Sequence, residues 1–246
     1  MLRSFRMDLH IHTCLSPCGE IEMVPRDIVN EAGKKGIDVI GIADHNSAEN
    51  VPAVRRAAEK EGLRVLGGME VTTREEAHLL SLFDTDDGLL ELQRVVYENL
   101  AGENDEEAFG QQLVLDEENN VLDLNRRLLM GATDLSVDEL VGLVHSLDGL
   151  AIASHIDRDR YGLIAQLGFI PEGLPLDALE ISAKAAAEGR MVEFRDKYSL
   201  PLVTFSDAHI LSDIGRSTTH FLVEEASTRE IKSALLSEKG RRMWTS

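Results

Sequence analysis

The sequence predicts an α/β fold built around a parallel sheet, open or closed. Two observations carry that prediction. Apolar runs of strand length, rich in β-branched residues, alternate with helical patterns along most of the chain. Residues of metal-binding type recur mostly where those runs end. The 246 residues suffice for one large α/β barrel or two small domains. The pattern favours a single domain over residues 1–246.

The elements follow in order. FRMDLHIHT reads as the first strand and leads to a helix near residues 25–35, where Pro25 suits the first turn. DVIGIAD is the second strand, followed by a helix near 51–61. RVLGGMEVT is followed directly by AHLLSLF. The rhythm then breaks over residues 84–135. A helix is expected over 88–100, with apolar positions Leu89, Leu90, Leu92, Val95, Val96 and Leu100, and a hairpin over 112–129 with the polar tip DEENN. This acidic helix-plus-hairpin segment reads as an insertion or cap. Beyond it the strands LAIASH, DALEIS, LPLVTFSD and THFLVEE are expected, with helices near 137–147, 160–167, 188–198 and 229–238.

The formal net charge is −19, and residues 84–148 hold 17 Asp/Glu against three Lys/Arg, which is −14 of it. The acidity therefore belongs to one segment. It argues against a broad electropositive groove, so long nucleic acid is not expected as a partner. No apolar run approaches membrane-spanning length, and no apolar stretch follows MLRSFR as in a signal peptide, so the expected location is the cytoplasm. Cys14 and Cys18 are the only cysteines; beside histidines in a cytosolic chain they suggest metal binding or free thiols.

His10, His12, Cys18, His45, Glu70, His78, His155, Asp207 and His209 form the candidate metal set. His10 and His12 stand two apart on a strand and share a face, so they can chelate one ion. Asp207 and His209 repeat that spacing after LVTF. Asp8, two residues before His10, is expected on the same face, hydrogen-bonded to an imidazole. Asp44 and His45 point oppositely on an extended backbone, so His45 is taken as the ligand and Asp44 as the residue orienting it or a neighbour. Glu70 follows two glycines, and a carboxylate there can bridge two cations. His145, mid-helix, and His220, on a late strand, are read as ordinary structural histidines. For phosphate binding the candidates are Arg158, Arg160, Lys184 and Arg216.

At DLHIHT, IADHN, GGME, the single histidines His78 and His155, and SDAH, the chain resembles the polymerase and histidinol phosphatase (PHP) phosphoesterases, with the motifs in the family's order. The resemblance implies a distorted (β/α)7-type barrel, similar to a TIM barrel, around two or three divalent ions of Mn, Zn or Fe. It implies hydrolysis of phosphate esters, in a small molecule or short nucleotide, by a metal-bridging hydroxide. His10, His12 and Asp207 would hold one ion, Glu70 would bridge to a second held by His78 and His155, and His45 and His209 would hold a third, helped by the residue at Cys18. Cys18 departs from the family pattern, which usually has His or Asp in this loop. A thiolate there suits Zn or Fe better than Mn. Two other readings stand beside this one: a metal-dependent amidohydrolase, and a non-catalytic regulatory module that binds metal.

Overall fold

In the computed structural model, which describes residues 1–245, seven strands curl into a nearly closed barrel. The chain begins with β1 (Arg3–Ile11), α1 (Pro25–Lys34), β2 (Val39–Ile42), α2 (Val51–Glu59), β3 (Arg64–Thr72) and β4 (His78–Phe83). Next come α3 (Asp86–Asn99), α4 (Glu106–Phe109), β5 (Leu113–Leu115) and β6 (Val121–Leu124). The last part holds α5 (Val137–Ser146), β7 (Leu150–Ala153), α6 (Leu163–Leu167), β8 (Ala178–Glu180), α7 (Ala183–Ala187) and α8 (Met191–Arg195). β9 (Leu202–Val203), β10 (Thr219–Val223), α9 (Thr228–Leu235) and β11 (Arg242–Thr245) follow.

The main sheet runs β11-β10-β1-β2-β3-β4-β7-β8-β9. Its two ends meet beyond β9, where the His12 N–H donates to the Ala208 carbonyl at 3.0 Å and the Ala208 N–H to the His10 carbonyl at 3.3 Å. β1 is shared along its length: residues 3–7 pair with β10, and the following residues meet Ala208.

The expected parallel order breaks at two places: β10 and β11 run antiparallel at the edge beside β1, and one strand reverses within the barrel wall. β4 runs antiparallel to both β3 and β7. A parallel return needs a crossover of about a dozen residues, and only residues 73–77 join β3 to β4, closed by the Thr73 N–H on the Ala77 carbonyl at 2.9 Å. Two expected helices are also shorter. That near 160–167 begins only at Leu163. That near 188–198 reduces to α8, separated from α7 by Gly189 at φ +74°. α4, α7 and β11 lie outside the sequence prediction.

Two apolar clusters sandwich the barrel wall. Met7, Leu9, Leu66, Leu80, Ile152 and Phe205 pack in one cluster fed by nearly every barrel strand. Ile11, Ile42, Val71 and Leu79 pack in the other, against the helices. β1 changes sides between them: its register against β2 shifts between Asp8 and Ile11. The irregularity puts Met7 and Leu9 with the inner cluster but Ile11 with the outer one, which sends His10 and His12 inward. Gly41 makes this possible, because a Cβ there would stand 2.3 Å from the Leu9 carbonyl oxygen.

Residues 84–135 do two jobs. α3 lays buried Leu89, Leu92 and Val96 against β3 and β4. The β5–β6 hairpin packs Leu113 and Leu115 against Cys14 and Val24. Asn46 ties the return stretch down, donating to the Leu129 and Gly131 carbonyls, each at 2.8 Å.

Candidate metal centre

All nine candidate ligands converge at the mouth of the barrel. His10 lies near the end of β1 and His12 just follows it; His45 follows β2; Glu70 lies near the end of β3; His78 begins the reversed β4 and so reaches the same mouth. His155 follows β7, and Asp207 and His209 follow β9. His155 (φ 28°) and Asp207 (φ 49°) both sit in left-handed backbone. That conformation costs about 1–3 kcal/mol where a bulky side chain must adopt it.

Glu70 is the hub. Its carboxylate lies 3.4 Å from His10 Nε2, 3.5 Å from His12 Nε2, 3.3 Å from His45 Nδ1, 3.2 Å from His78 Nδ1 and 3.2 Å from His155 Nε2. Asp207 Oδ1 lies 3.6 Å from His10 Nε2 and 3.2 Å from His12 Nε2. One ligand atom from each of His10, His12 and Glu70 lies within 4.8 Å of the other two, and the same holds for His45, Glu70 and His78 and for the set His12, Cys18, His45 and His209.

The charges are tightly linked. Burial works against protonating His10, yet Glu180, Glu70 and Asp207 hold its pKa well above the ordinary imidazole value. Burial, with His209 alongside, pulls His12 down to about 4, and burial pulls His45 well below its ordinary value. Burial would raise both carboxyls. Instead His78 and His10 hold Glu70, and His10 and His12 hold Asp207, well below the usual range.

Divalent cations fit this donor set. His10 Nε2, His12 Nε2, His45 Nδ1, His78 Nδ1, Glu70 Oε1 and Asp207 Oδ1 are all buried without a hydrogen-bond partner. Each such atom costs about 1–3 kcal/mol if nothing else satisfies it. Imidazole and carboxylate donors together suit Zn, Fe and Mn.

The residues behind the ligands differ in part from expectation. His10 Nδ1 donates to Glu180 Oε2 at 2.9 Å. Glu180, buried at the end of β8, was not among the sequence candidates; an acid set between apolar residues in ALEI was the available signal. Asp8 does not hold an imidazole. Its carboxylate accepts the Ser206 N–H at 2.9 Å and the Gly215 N–H at 2.7 Å, because the irregularity in β1 turns it away from His10. Burial pushes its pKa up to about 6 against the lowering effect of those two bonds. Asp44 acts on a neighbour rather than on His45. It accepts the Thr13 N–H at 2.6 Å and the Ser16 hydroxyl at 2.7 Å, and Ser16 Oγ in turn accepts from His12 Nδ1 at 3.0 Å. Ser16 is the second supporting residue that the sequence reading missed. His145 pairs with Asp177 at 2.8 Å and His220 stacks on Trp244, both outside the centre.

The phosphate-binding candidates divide between two cavities. Arg158 and Arg160 line the metal cavity of about 480 Å³, together with Tyr161 and Met130. The Arg158 guanidinium stands against Asp207. Lys184 and Arg216 instead line an adjoining cavity of about 540 Å³, with Arg190 and again Arg158. Arg216 is held there by the Ser206 carbonyl at 2.9 Å and Asp213 at 2.6 Å.

A family model described as PHP domain matches residues 8–167, a span running from Asp8 past His155. The chain belongs to the PHP family. A second model, described as PHP-associated, matches residues 187–239 and takes in Asp207 and His209. The family is one of metal-dependent phosphoesterases, hydrolases of phosphate esters. A DNA polymerase III PolC-type from Staphylococcus haemolyticus is 32% identical over 93 residues, which is 38% of the PHP chain and 6% of the polymerase. Among solved structures, the lesion-specific endonuclease Q from Pyrococcus furiosus superposes with a TM-score of 0.73 at 21% identity, over 98% of this chain and 58% of that one. Endonuclease Q has also been solved with a 27-mer duplex bearing an abasic lesion at the active site; that structure superposes with a TM-score of 0.69 at 19% identity, over 98% and 58% of the two chains. A Bifidobacterium adolescentis protein assigned as a metal-dependent phosphoesterase gives 0.55 at 18% identity, over 82% and 87%. These likenesses place the fold among PHP barrels. Among the described residues no helix is long and apolar enough to cross a membrane.

Proposed function

We propose that the protein hydrolyses phosphate esters at the barrel mouth with two or three divalent ions of Mn, Zn or Fe. The observation that carries this reading is Glu70, a buried carboxylate within 3.5 Å of five imidazoles whose facing atoms mostly lack any other partner. A carboxylate can bridge cations, and closely paired cations suit phosphoryl chemistry. His10, His12 and Asp207 would hold one ion, with Glu70 shared, and His78 and His155 the second. His45 and His209 would hold a third. When bound, such ions acidify coordinated water and offset negative charge on phosphate oxygens.

The protein's own residues do the rest. Glu180 and Ser16 fix the Nδ1–H tautomers of His10 and His12, which leaves Nε2 of each free to bind. Arg158 borders both cavities and presents a guanidinium to an anionic ester. Residues 84–135 serve as a cap, with Met130 forming part of the cavity wall.

Monoesters and diesters both fit this reading. The expectation against long nucleic acid does not carry over. The same barrel in endonuclease Q is found with a 27-mer duplex, and the acidity of this chain lies chiefly in one segment. Arg158, Lys184, Arg190 and Arg216 also line one cavity beside the centre. Nucleic acid is therefore retained as a substrate class.

The test is hydrolysis of paired chromogenic phosphate monoesters and diesters by the Mn²⁺-loaded protein, with His10→Ala and Asp207→Ala as controls. Turnover lost to background in both, with circular dichroism unchanged, is the expected result. Full activity in either variant, or no turnover of any ester by metal-loaded protein, would sink the assignment. A DNA substrate whose cleavage falls steeply with salt would mark phosphate-backbone binding.

A further inference from the structure

Cys18 lies in the loop between β1 and α1, and that loop is stitched to the loop after β9, the neighbouring strand at the barrel's closure. The Ser16 N–H donates to the Thr13 carbonyl at 3.1 Å and the Gly19 N–H to the Ser16 carbonyl at 2.9 Å. The Glu20 N–H then donates to the His209 carbonyl at 2.9 Å, joining the cysteine's loop to the loop of a candidate ligand. Gly19 has no room for a side chain, since a Cβ would stand 2.4 Å from the Thr13 carbonyl oxygen. The loop thus holds Cys18 at the rim of the metal cavity.

Three imidazoles stand ready beside it. Cys18 Sγ lies within 4.8 Å of a ligand atom from each of His12, His45 and His209. His12 Nε2 and His45 Nδ1 are buried and unpartnered, on residues 0% and 4% exposed. His209 Nδ1 donates to the Asp207 carbonyl at 2.8 Å, which leaves the Nε2 lone pair free. Cys14 differs: it is buried against Leu113 and Leu115.

We propose that Cys18 is a metal ligand, and that with His45 and His209 it makes the third position a sulfur-bearing site selective for Zn²⁺ or Fe²⁺ over Mn²⁺ and Mg²⁺. The proposal rests on the metal centre described under Proposed function. Two nitrogens and a thiolate form the donor set that borderline and softer cations prefer, whereas Glu70 and Asp207 give the neighbouring positions hard oxygen donors. On binding, the S–H bond breaks, its proton passes to solvent and a sulfur–metal bond forms, with no change of oxidation state. The centre therefore has unlike sites, and its full complement depends on a thiophilic metal.

Cobalt(II) provides the probe. Metal-free protein titrated with Co²⁺ is expected to develop a near-ultraviolet sulfur-to-cobalt charge-transfer band. The band should be absent in Cys18→Ser and Cys18→Ala and retained in Cys14→Ala. In a parallel experiment Zn²⁺ should protect Cys18 from alkylation, read by peptide mass spectrometry. A wild type that takes up its full cobalt complement without the band overturns the proposal, as does a band that survives in Cys18→Ser. Phosphate-ester hydrolysis is scored separately. Turnover without the band defeats only the sulfur site, and the band without turnover defeats only the catalytic reading. A protein that binds no cobalt defeats both.

Discussion

His10 Nδ1 donates to Glu180 Oε2 across 2.9 Å, with both side chains wholly out of water. A carboxylate can only accept, so the pair fixes the imidazole tautomer and raises the basicity of the nitrogen facing Glu70. Glu180→Gln keeps an acceptor but removes the charge. The expected result is a fold-neutral variant whose affinity for its tightest ion falls by about 10–100-fold. Competition against a chromogenic chelator measures this, and an unchanged affinity would mean that Glu180 is merely packing.

Without metal, the centre makes stability depend on pH in both directions. His12, drawn from 6.5 to about 4, and His45, also lowered, resist protonation in the fold. The unfolded chain therefore binds more protons between pH 6.5 and 4, and stability falls as pH drops through that window. Glu70 and Asp207, held well below their ordinary values of 4.5 and 3.8, extend the loss to lower pH. His10 has the opposite sign: its raised pKa stabilises the fold below 6.5, and that contribution disappears as pH rises through the folded value. Thermal melts in a chelator should give a bell-shaped stability curve. His12→Asn should flatten its acid limb by about 3 kcal/mol and spare the alkaline limb. An unaltered acid limb would contradict the His12 assignment.

Asn46 joins three segments. Besides the Leu129 and Gly131 carbonyls, it accepts the Thr72 N–H at 3.0 Å through its side-chain oxygen. Asn46 also sits at φ 48°, a conformation asparagine tolerates better than alanine. Asn46→Ala is expected to lose about 3 kcal/mol in urea unfolding. Faster amide exchange over residues 100–133 should accompany it. A loss confined to global stability, with protection there unchanged, would show that Asn46 does not tether this segment.

Much of this molecule was legible because strand-end histidines leave a local signature. DLHIHT and SDAH each show two ligand-type residues at a spacing of two, and such pairs at the ends of separate strands invite a common explanation. The apolar runs also marked most of the barrel strands, since period and β-branching are local properties. What stayed hidden depends on partners distant in sequence. The side reached by Asp8 depends on a register shift against β2. Glu180 matters only because barrel closure leaves β9 alone between β8 and β1, bringing it to a histidine 170 residues away in sequence. The reversal of β4 was available in principle, because residues 73–77 are too few for a crossover, but the surrounding alternation argued for a parallel neighbour. Lys184 and Arg216, chosen for their places after LEIS and SDAH, line the adjoining cavity rather than the metal cavity, a difference that rests on how distant segments pack.

Arg158 separates the two cavities, and its role should show in kinetics rather than in stability. Its guanidinium stands against Asp207, and burial, which would lower its pKa, is outweighed by Asp207, Glu180 and Glu70 together, so the charge is secure. The side chain is still 38% exposed, which leaves donors free for an incoming anion. Arg158→Lys keeps the charge but loses the planar fork, and Arg158→Ala loses both. If Arg158 grips phosphate in the ground state and the transition state alike, KM should rise by about tenfold in Arg158→Ala, with kcat nearly unchanged and a smaller rise in Arg158→Lys. If it instead orients Asp207, metal content should fall in both variants and kcat should fall with it. Steady-state kinetics paired with metal analysis of the same preparations separates the two, and the position of Arg158 in the wall of both cavities favours the first outcome.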